Sequence, residues 1–145
     1  MIDILPGISS TSSALTAERI RMDVISQNIA NANTTRGLDG KPYQRQQVAF
    51  ETLFREQQGL ADWTGLASQT VHVARIEKDH RPPQLVYNPG HPDADSNGMV
   101  AMPAINIHEE MADLMVASRT FEANLAVLKT ARSMAIQTLT IGKRT

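Results

Sequence analysis

Both ends of this chain carry apolar residues at heptad spacing, and this feature constrains its fold most. The N-terminal row consists of Ile8, Leu15, Met22 and Ile29, with Ile25 and Ala32 at the intermediate position of its last two heptads. The C-terminal segment carries two rows, Ile107, Leu114, Phe121, Leu128 and Ala135, and Met111, Ser118, Leu125, Arg132 and Leu139. Such spacing predicts a long helix with one apolar stripe at each end of the chain.

Capping residues set the predicted ends of the two helices. The first should run from about Ile8 to Ala32, over roughly 37 Å, and end in the Asn- and Gly-containing segment 33–37. The second should follow Asn106 as a side-chain cap and stop near Gly142, over roughly 54 Å. Acids lie early and bases late in this segment, an order that complements the helix dipole.

The middle of the chain is punctuated by Gly, Pro and Asn and holds short β-like runs. These are residues 44–54, 70–77, 84–87 and 99–102. They predict a small sheet or a pair of hairpins, although residues 50–62 could equally form a helical turn.

The predicted fold is therefore α+β, with two long terminal amphipathic helices that pair as a coiled coil and a small β-containing middle domain. We expect an N-terminal helix over 8–33, a middle region over 34–104 and a C-terminal helix over 105–142. Residues 1–33 and 105–145 together would form an inner helical domain. The middle is too small to bury both stripes, so the helices must pack on each other, on other subunits, or on both. We expect them to be largely disordered until assembly.

Composition and charge exclude several classes of function. The 145-residue chain has no cysteine and a net charge of -1, and its charges are spread evenly. Thiolate chemistry is excluded, and no basic face for nucleic acid or an anionic membrane is predicted. The N-terminus lacks the basic and apolar regions of a Sec-type signal. We expect neither membrane insertion nor a small-molecule substrate.

Two motifs resemble metal sites but are incomplete. Asp93, Asp95 and Asn97 follow the first half of a calcium loop, but its twelfth position is Ala104 instead of a bidentate Glu. His108 precedes two glutamates as in a zinc-protease helix, but Ala112 stands where the second His belongs. With no phosphate loop or nucleophile elbow either, the sequence predicts no enzyme and no cofactor.

Several stretches resemble the bacterial flagellar rod, hook and hook-associated proteins. The N-terminal signature of that family is similar to SALTAER at 13–19 and DVISQNIANANT at 23–34. The segments 34–45 (TTRGLDGKPYQR) and 88–95 (NPGHPDAD) resemble loops of the short rod proteins in particular. Residues 110–124 are similar to the family's C-terminal helix.

The resemblance implies a structural subunit of the proximal rod in the flagellar basal body. Such a subunit would leave the cell through the flagellar type III export apparatus without a cleaved signal peptide. It would polymerise in the periplasm with copies of itself and with other rod proteins. Its helices would line a hollow drive shaft around the export channel, and the shaft would transmit torque.

Two sets of residues are candidates for this role. The assembly-interface candidates, which could pair within the chain or between subunits, are Ile8, Leu15, Met22, Ile25, Ile29, Ile107, Met111, Leu114, Phe121, Leu125, Leu128 and Leu139. Asn28, Asn31 and Asn33 are either ordinary helix-end residues or, as the resemblance suggests, a polar hinge between the inner helix and the outer domain. Arg132 is either a surface residue or a buried partner for an acid on a neighbour. The alternative function is a secreted coiled-coil adaptor or chaperone.

Overall fold

The protein consists of two long helices and two β-hairpins. The computed structural model describes residues 6–37, 39–55 and 68–142. The elements are α1 (Pro6–Ala30), β1 (Gln46–Arg55), β2 (Ser68–Lys78), β3 (Gln84–Tyr87), β4 (Met99–Met102) and α2 (Ile107–Gly142). The predicted α+β class, with small antiparallel sheets between the helices, is confirmed.

The helix ends lie close to their predicted positions. α1 ends at Ala30, two residues before the predicted end, and the chain continues into a turn in which the Thr34 amide donates to the Asn31 carbonyl at 3.0 Å. Asn106 caps α2 as predicted, because its Oδ1 accepts from the His108 amide at 3.1 Å. The last described turn of α2 carries no basic side chain, and the predicted Lys143 and Arg144 lie outside the described residues.

All four predicted strands form, as two antiparallel hairpins. β1 pairs with β2 from Gln46 opposite Lys78 to Arg55 opposite Ser68, with a register shift after Ala49. β3 pairs with β4 in a separate sheet. Residues 50–55 belong to β1, so the alternative of a helical turn is wrong there, and residues 56–62 of that segment lie outside the described residues.

The turn between β3 and β4 reverses the chain at Asn97 and Gly98. Gly98 has a φ of 73°. Asp95 Oδ1 accepts from the amides of Asn97 at 2.8 Å and Met99 at 2.9 Å. In the loop after α1 the positive φ lies at Gly40 (70°). Both turns thus use glycine where a left-handed backbone is needed.

α1 lies between α2 and the first hairpin. It contacts α2, β1 and β2. The helices run antiparallel, because Asn28 near the end of α1 contacts Glu110 near the start of α2, and Arg21 lies 3.9 Å from Asp113. This arrangement places the core along α1, which is covered on two sides.

The buried face of α1 differs from the predicted one. Ala17 and Val24 are 3% and 4% exposed, and Asn28 lies on the same face. Ile8, Leu15, Met22 and Ile29 lie about 150° away around the helix and are only half-buried, whereas Ile25, at the intermediate position of the predicted stripe, is buried. The small Ala17 and the fully buried Ala117 of α2 allow close approach of the two helices, and the hairpin covers part of α1 as well. Coiled-coil pairing through the predicted rows therefore remains a prediction.

Candidate functional site

The structure divides the assembly-interface candidates by exposure. Ile25 alone is buried, at 6% exposure. The half-buried candidates are Ile8, Leu15, Met22, Ile29, Leu114, Phe121, Leu125 and Leu128. The exposed candidates are Ile107, Met111 and Leu139. The list thus mixes residues that contribute to the fold of one chain with residues that are free to contact another.

The end of α2 extends beyond α1. α2 has 36 residues and α1 has 25, and their paired ends at Asn28 and Glu110 are nearly flush. About 11 residues of α2, roughly 16 Å, therefore run past the start of α1. We call residues 132–142 the overhang. Its exposed apolar residues are Met134, Ile136, Leu139 and Ile141, between 51% and 72% exposed.

A polar junction joins the two helices to the start of the first hairpin; it comprises Asn28, Tyr43, Arg45, Gln46 and Glu110. Asn28 is 1% exposed. Its Nδ2 donates to the Gln46 carbonyl at 2.8 Å, and its Oδ1 accepts from the Gln46 amide at 2.9 Å. The side chain thus pairs with the Gln46 backbone much as a neighbouring strand would, which fixes where β1 begins relative to α1.

Glu110 supplies the charge at the centre of the junction and is also 1% exposed. Its Oε1 accepts from Arg45 Nε at 2.5 Å, and its Oε2 accepts from Asn28 Nδ2 at 3.0 Å. Arg45 also lies 3.9 Å from both Asp79 and Asp113. The buried carboxylate is therefore paired with a cation and hydrogen-bonded, as a buried charge must be.

Tyr43 closes the junction from the loop side. Its hydroxyl donates to Asn28 Oδ1 at 3.1 Å. Burial, and secondarily the negative charge of Glu110, raise the pKa of the Tyr43 phenol above its ordinary value of 10.0. The phenol therefore stays neutral and keeps its donor proton at neutral pH.

Asp79 holds the outer edge of the junction, just beyond β2. Its carboxylate accepts from the Arg81 amide at 3.0 Å and from the Arg81 side chain at 2.7 Å. These hydrogen bonds, with the charges of Arg81 and Arg45, hold the pKa of Asp79 below its ordinary value. Its backbone amide also donates to the Arg45 carbonyl at 2.7 Å, so β2 and the Arg45 segment are tied at two points.

The other hinge candidates lie outside the junction. Asn31 Nδ2 donates to the Gln27 carbonyl at 2.8 Å, and its Oδ1 accepts from Thr34 at 3.2 Å, so it stabilises the turn after α1. Asn33 is exposed. Arg132 is exposed as well, at the start of the overhang. Of the three asparagines, only Asn28 links the helices to the middle region.

The two loops that carry the most specific sequence signature contact each other. Thr35 Oγ1 donates to Asp93 Oδ2 at 2.8 Å, and Arg36 lies 3.7 Å from the other oxygen of Asp93. The Asp93 amide donates to Nδ1 of His91 at 3.1 Å. Segments 34–45 and 88–95 thus form one connected surface. Within the described residues, no three His, Asp or Glu side chains are grouped as a metal site would require.

Sequence reasoning missed Glu110, which accepts a hydrogen bond from Asn28, and Arg45, which pairs with Glu110. From the sequence, Glu110 is only one of the acids expected in the first turn of α2. A signal was present, because Glu110 lies at helical spacing with Leu114, Ala117 and Phe121, on the face that turns toward α1. An acid on an apolar stripe indicates a buried partner. Arg45 carried no comparable signal, since it lies in a loop.

Comparisons with known proteins identify relatives of this chain. Residues 8–36 match the family model described as flagella basal body rod protein, and residues 96–141 match that of the flagellar basal body rod FlgEFG protein C-terminal domain. The chain is 42% identical to the flagellar basal-body rod protein FlgC of Borreliella burgdorferi, and the match covers 90% of this chain and 92% of that one. The FlgC of Salmonella typhimurium is 41% identical with the same coverage. The FlgC of Bacillus subtilis is 36% identical, over 94% and 97% of the two chains.

Proposed function

The chain belongs to the FlgC family of flagellar basal-body rod proteins, and from this premise we propose how it builds the rod. It is a structural subunit of the basal-body rod and assembles with other rod components. In our proposal it polymerises through its terminal helices into a hollow drive shaft that surrounds the export channel and transmits torque. An adaptor or chaperone function has no support among these relatives.

The overhang is the observation that carries this proposal. Its four large apolar side chains are more than half exposed in the single chain. Contact with a neighbour would recover part of the roughly 1.5–3 kcal/mol that full burial of such a side chain provides, since each is still 51–72% exposed. Exposed candidates Ile107 and Met111 at the other end of α2 extend the same argument. In a free chain these apolar side chains stay exposed to water, whereas in a polymer each subunit can bury them against a neighbour.

The polar junction gives the two regions of the subunit separate roles. We propose that residues 1–33 and 105–145 form the inner helical domain and that residues 34–104 face outward. Asn28 and Glu110 would then act as a fixed joint that sets the angle at which the chain leaves the inner helix. The paired charges of the polar junction favour one angle between the helices and the middle region over others. A subunit that bears torque requires such a fixed angle.

The finer location of the subunit rests on the family alone. We propose that it lies in the proximal rod, in the periplasm, and reaches it through the flagellar type III export apparatus without cleavage of a signal peptide. None of the described helices is both long and apolar enough to cross a membrane.

A gene deletion tests the proposed function. Cells that lack this chain should build the membrane-embedded motor parts but no rod, and a plasmid copy of the gene should restore rods and motility. Electron microscopy of isolated basal bodies gives the result directly. Normal rods in the deletion strain would refute the function, whatever the motility of the cells.

A further inference from the structure

A cleft lies in the middle region, between the loop that follows α1 and the end of β2. Its volume is about 570 Å³, within the range of ligand-binding clefts. The loop contributes Lys41, Pro42 and Tyr43, and the other side contributes Lys78 and Pro83. The Tyr43 hydroxyl donates to Asn28, so the cleft borders the polar junction. One side of the cleft is therefore held by the junction, and the cleft is open toward solvent.

Positive charge exceeds negative charge among the residues that line the cleft. Four basic and two acidic residues line it, namely Lys41, Arg45, Lys78, Arg81, Asp39 and Asp79. Arg45 is already paired with Glu110, and Arg81 with Asp79. Lys41 and Lys78 are exposed, and within the described residues neither side chain makes an ion pair or a hydrogen bond. One unpaired cation therefore lies on each side of the cleft.

Apolar side chains continue from the cleft along β3. Pro83 lines the cleft, and Leu85 and Tyr87 follow it at alternate positions, so these two lie on one face of the strand. Leu85 is 65% exposed and Tyr87 is 70% exposed. Among the described strands β3 pairs with β4 alone, which leaves its other edge open. An occupant that contacts both the lysines and this strand has to be extended, with acidic and apolar residues.

The charged groups of the cleft suit a segment of chain better than a small anion. A small anion needs fixed donors that converge on one point, and the two arginines are already paired. The lysine ammonium groups are point charges on flexible stems, and each exposed ion pair contributes little alone. Several such contacts along one chain add up, because the first one holds the others close.

This chain offers no free acidic segment of that kind. Its acids lie within three residues of one another only at 77 and 79, at 93 and 95, and at 109, 110 and 113. The first pair is bound to arginines, and the second accepts hydrogen bonds from loop residues. The third group lies in the helix α2. A second copy of the chain is therefore a poor occupant, and the segment has to come from a different protein.

We propose that the cleft binds an extended acidic segment of a different protein, with its carboxylates at Lys41 and Lys78 and its apolar side chains along Leu85 and Tyr87. The inference rests on the proposed function only in placing that protein among the neighbours of the subunit in the basal body. The contact lies in the middle region, so it is separate from the packing of the terminal helices.

Zero-length cross-linking of isolated basal bodies tests this contact. A carbodiimide activates a carboxylate, and the amine of a touching lysine displaces the activated oxygen, which leaves with the carbodiimide as a urea. The new amide bond is located by mass spectrometry of the digested proteins. We expect Lys41 or Lys78 to be joined to an Asp or Glu of a different protein. Products in which both lysines are joined only to acids of this chain, or to none, would overturn the inference.

A peptide probe tests the same contact on the purified full chain. The probe is a labelled peptide of alternating glutamate and proline, which stays extended, and its counterpart carries glutamine in place of glutamate. We expect fluorescence anisotropy to show binding of the glutamate peptide alone. Lys41→Gln and Lys78→Gln should each weaken it by up to about five-fold. Lys129→Gln, which removes the same charge from an exposed site on α2, should leave it unchanged.

Equal binding of the glutamate peptide by the native chain and by the chain with both Lys41→Gln and Lys78→Gln would overturn the inference. So would equal binding of the two peptides by the native chain. Neither result touches the proposed function, which fails only if the deletion strain itself builds rods.

Discussion

At the residue scale, Asn28 and Glu110 determine how the helices join the middle region. They are the two buried polar or charged residues of the described chain, and they hydrogen-bond to each other across 82 positions of sequence. Its place near the end of a helix made Asn28 an ordinary helix-end residue, and only the family resemblance suggested it as a hinge candidate. The sequence did not predict the partner, because periodicity reports which face a residue occupies and not which polar group it meets.

Removal of Glu110 should be costly. Glu110→Ala leaves Asn28 Nδ2 without one acceptor and Arg45 without its closest carboxylate. We propose that the junction keeps α1 and α2 folded in the purified chain, in place of the disorder expected from the sequence, and so expect a loss of about 3–5 kcal/mol in its free energy of unfolding, measured by chemical denaturation. Glu109→Ala is the control, because Glu109 is exposed in the same helical turn and should cost less than about 1 kcal/mol. Equal losses in the two variants would contradict the role of the junction.

Tyr43 should make stability depend on alkaline pH. Its pKa is raised in the folded chain, so its contribution to stability is fully present below the ordinary value of 10.0 and is lost as pH rises through the folded-state pKa. Tyr43→Phe should remove this alkaline loss and, by deleting the hydrogen bond to Asn28, cost about 1 kcal/mol at neutral pH. Denaturation curves at increasing pH measure both effects. Tyr87→Phe, which removes the hydroxyl of the exposed second tyrosine, is the control and should cost less stability at neutral pH.

At the element scale, the elements themselves were predictable and their faces were not. Short β-branched runs between Gly, Pro and Asn located all four strands. The buried face of α1 was predicted only at Ile25, because its other members are a small residue, Ala17, a polar one, Asn28, and Val24. A count of large apolar residues passes over the first two, although they permit the closest packing.

Gly98 should be more sensitive than Gly40 to substitution by alanine. Both have a positive φ, which costs an L-residue roughly 1–2 kcal/mol. A Cβ at Gly40 meets open space, whereas at Gly98 it would lie 3.0 Å from Tyr87 Cε2 and 3.1 Å from Pro89 Cβ. Thermal unfolding should therefore show a larger loss for Gly98→Ala than for Gly40→Ala. Equal losses would indicate that Tyr87 and Pro89 move aside without cost.

At the scale of the whole molecule, the single chain leaves apolar surfaces exposed that we propose are covered by neighbouring subunits. α1 is covered by α2 and a hairpin, while α2 presents exposed apolar side chains along its length and the overhang at its end. The imbalance between long apolar ends and a small middle was evident from the sequence. The sequence did not show which apolar surfaces remain exposed, because that depends on the unequal helix lengths and on the rotation of α1 about its axis. The loops at 34–45 and 88–95 indicated the family, and their contact through Asp93 places them on one surface.

The central claim is that the overhang of α2 builds the rod, and Leu139→Asp tests it most directly. Leu139 is 69% exposed, so the substitution should leave the unfolding free energy of the purified chain unchanged within about 0.5 kcal/mol. The same variant, as the only copy in cells, should yield basal bodies without rods, because a charge would be buried where an apolar side chain meets its neighbour. The measurement is the number of rods per basal body seen by electron microscopy. A stable variant without rods is the predicted result, and rods at the native number would contradict the account.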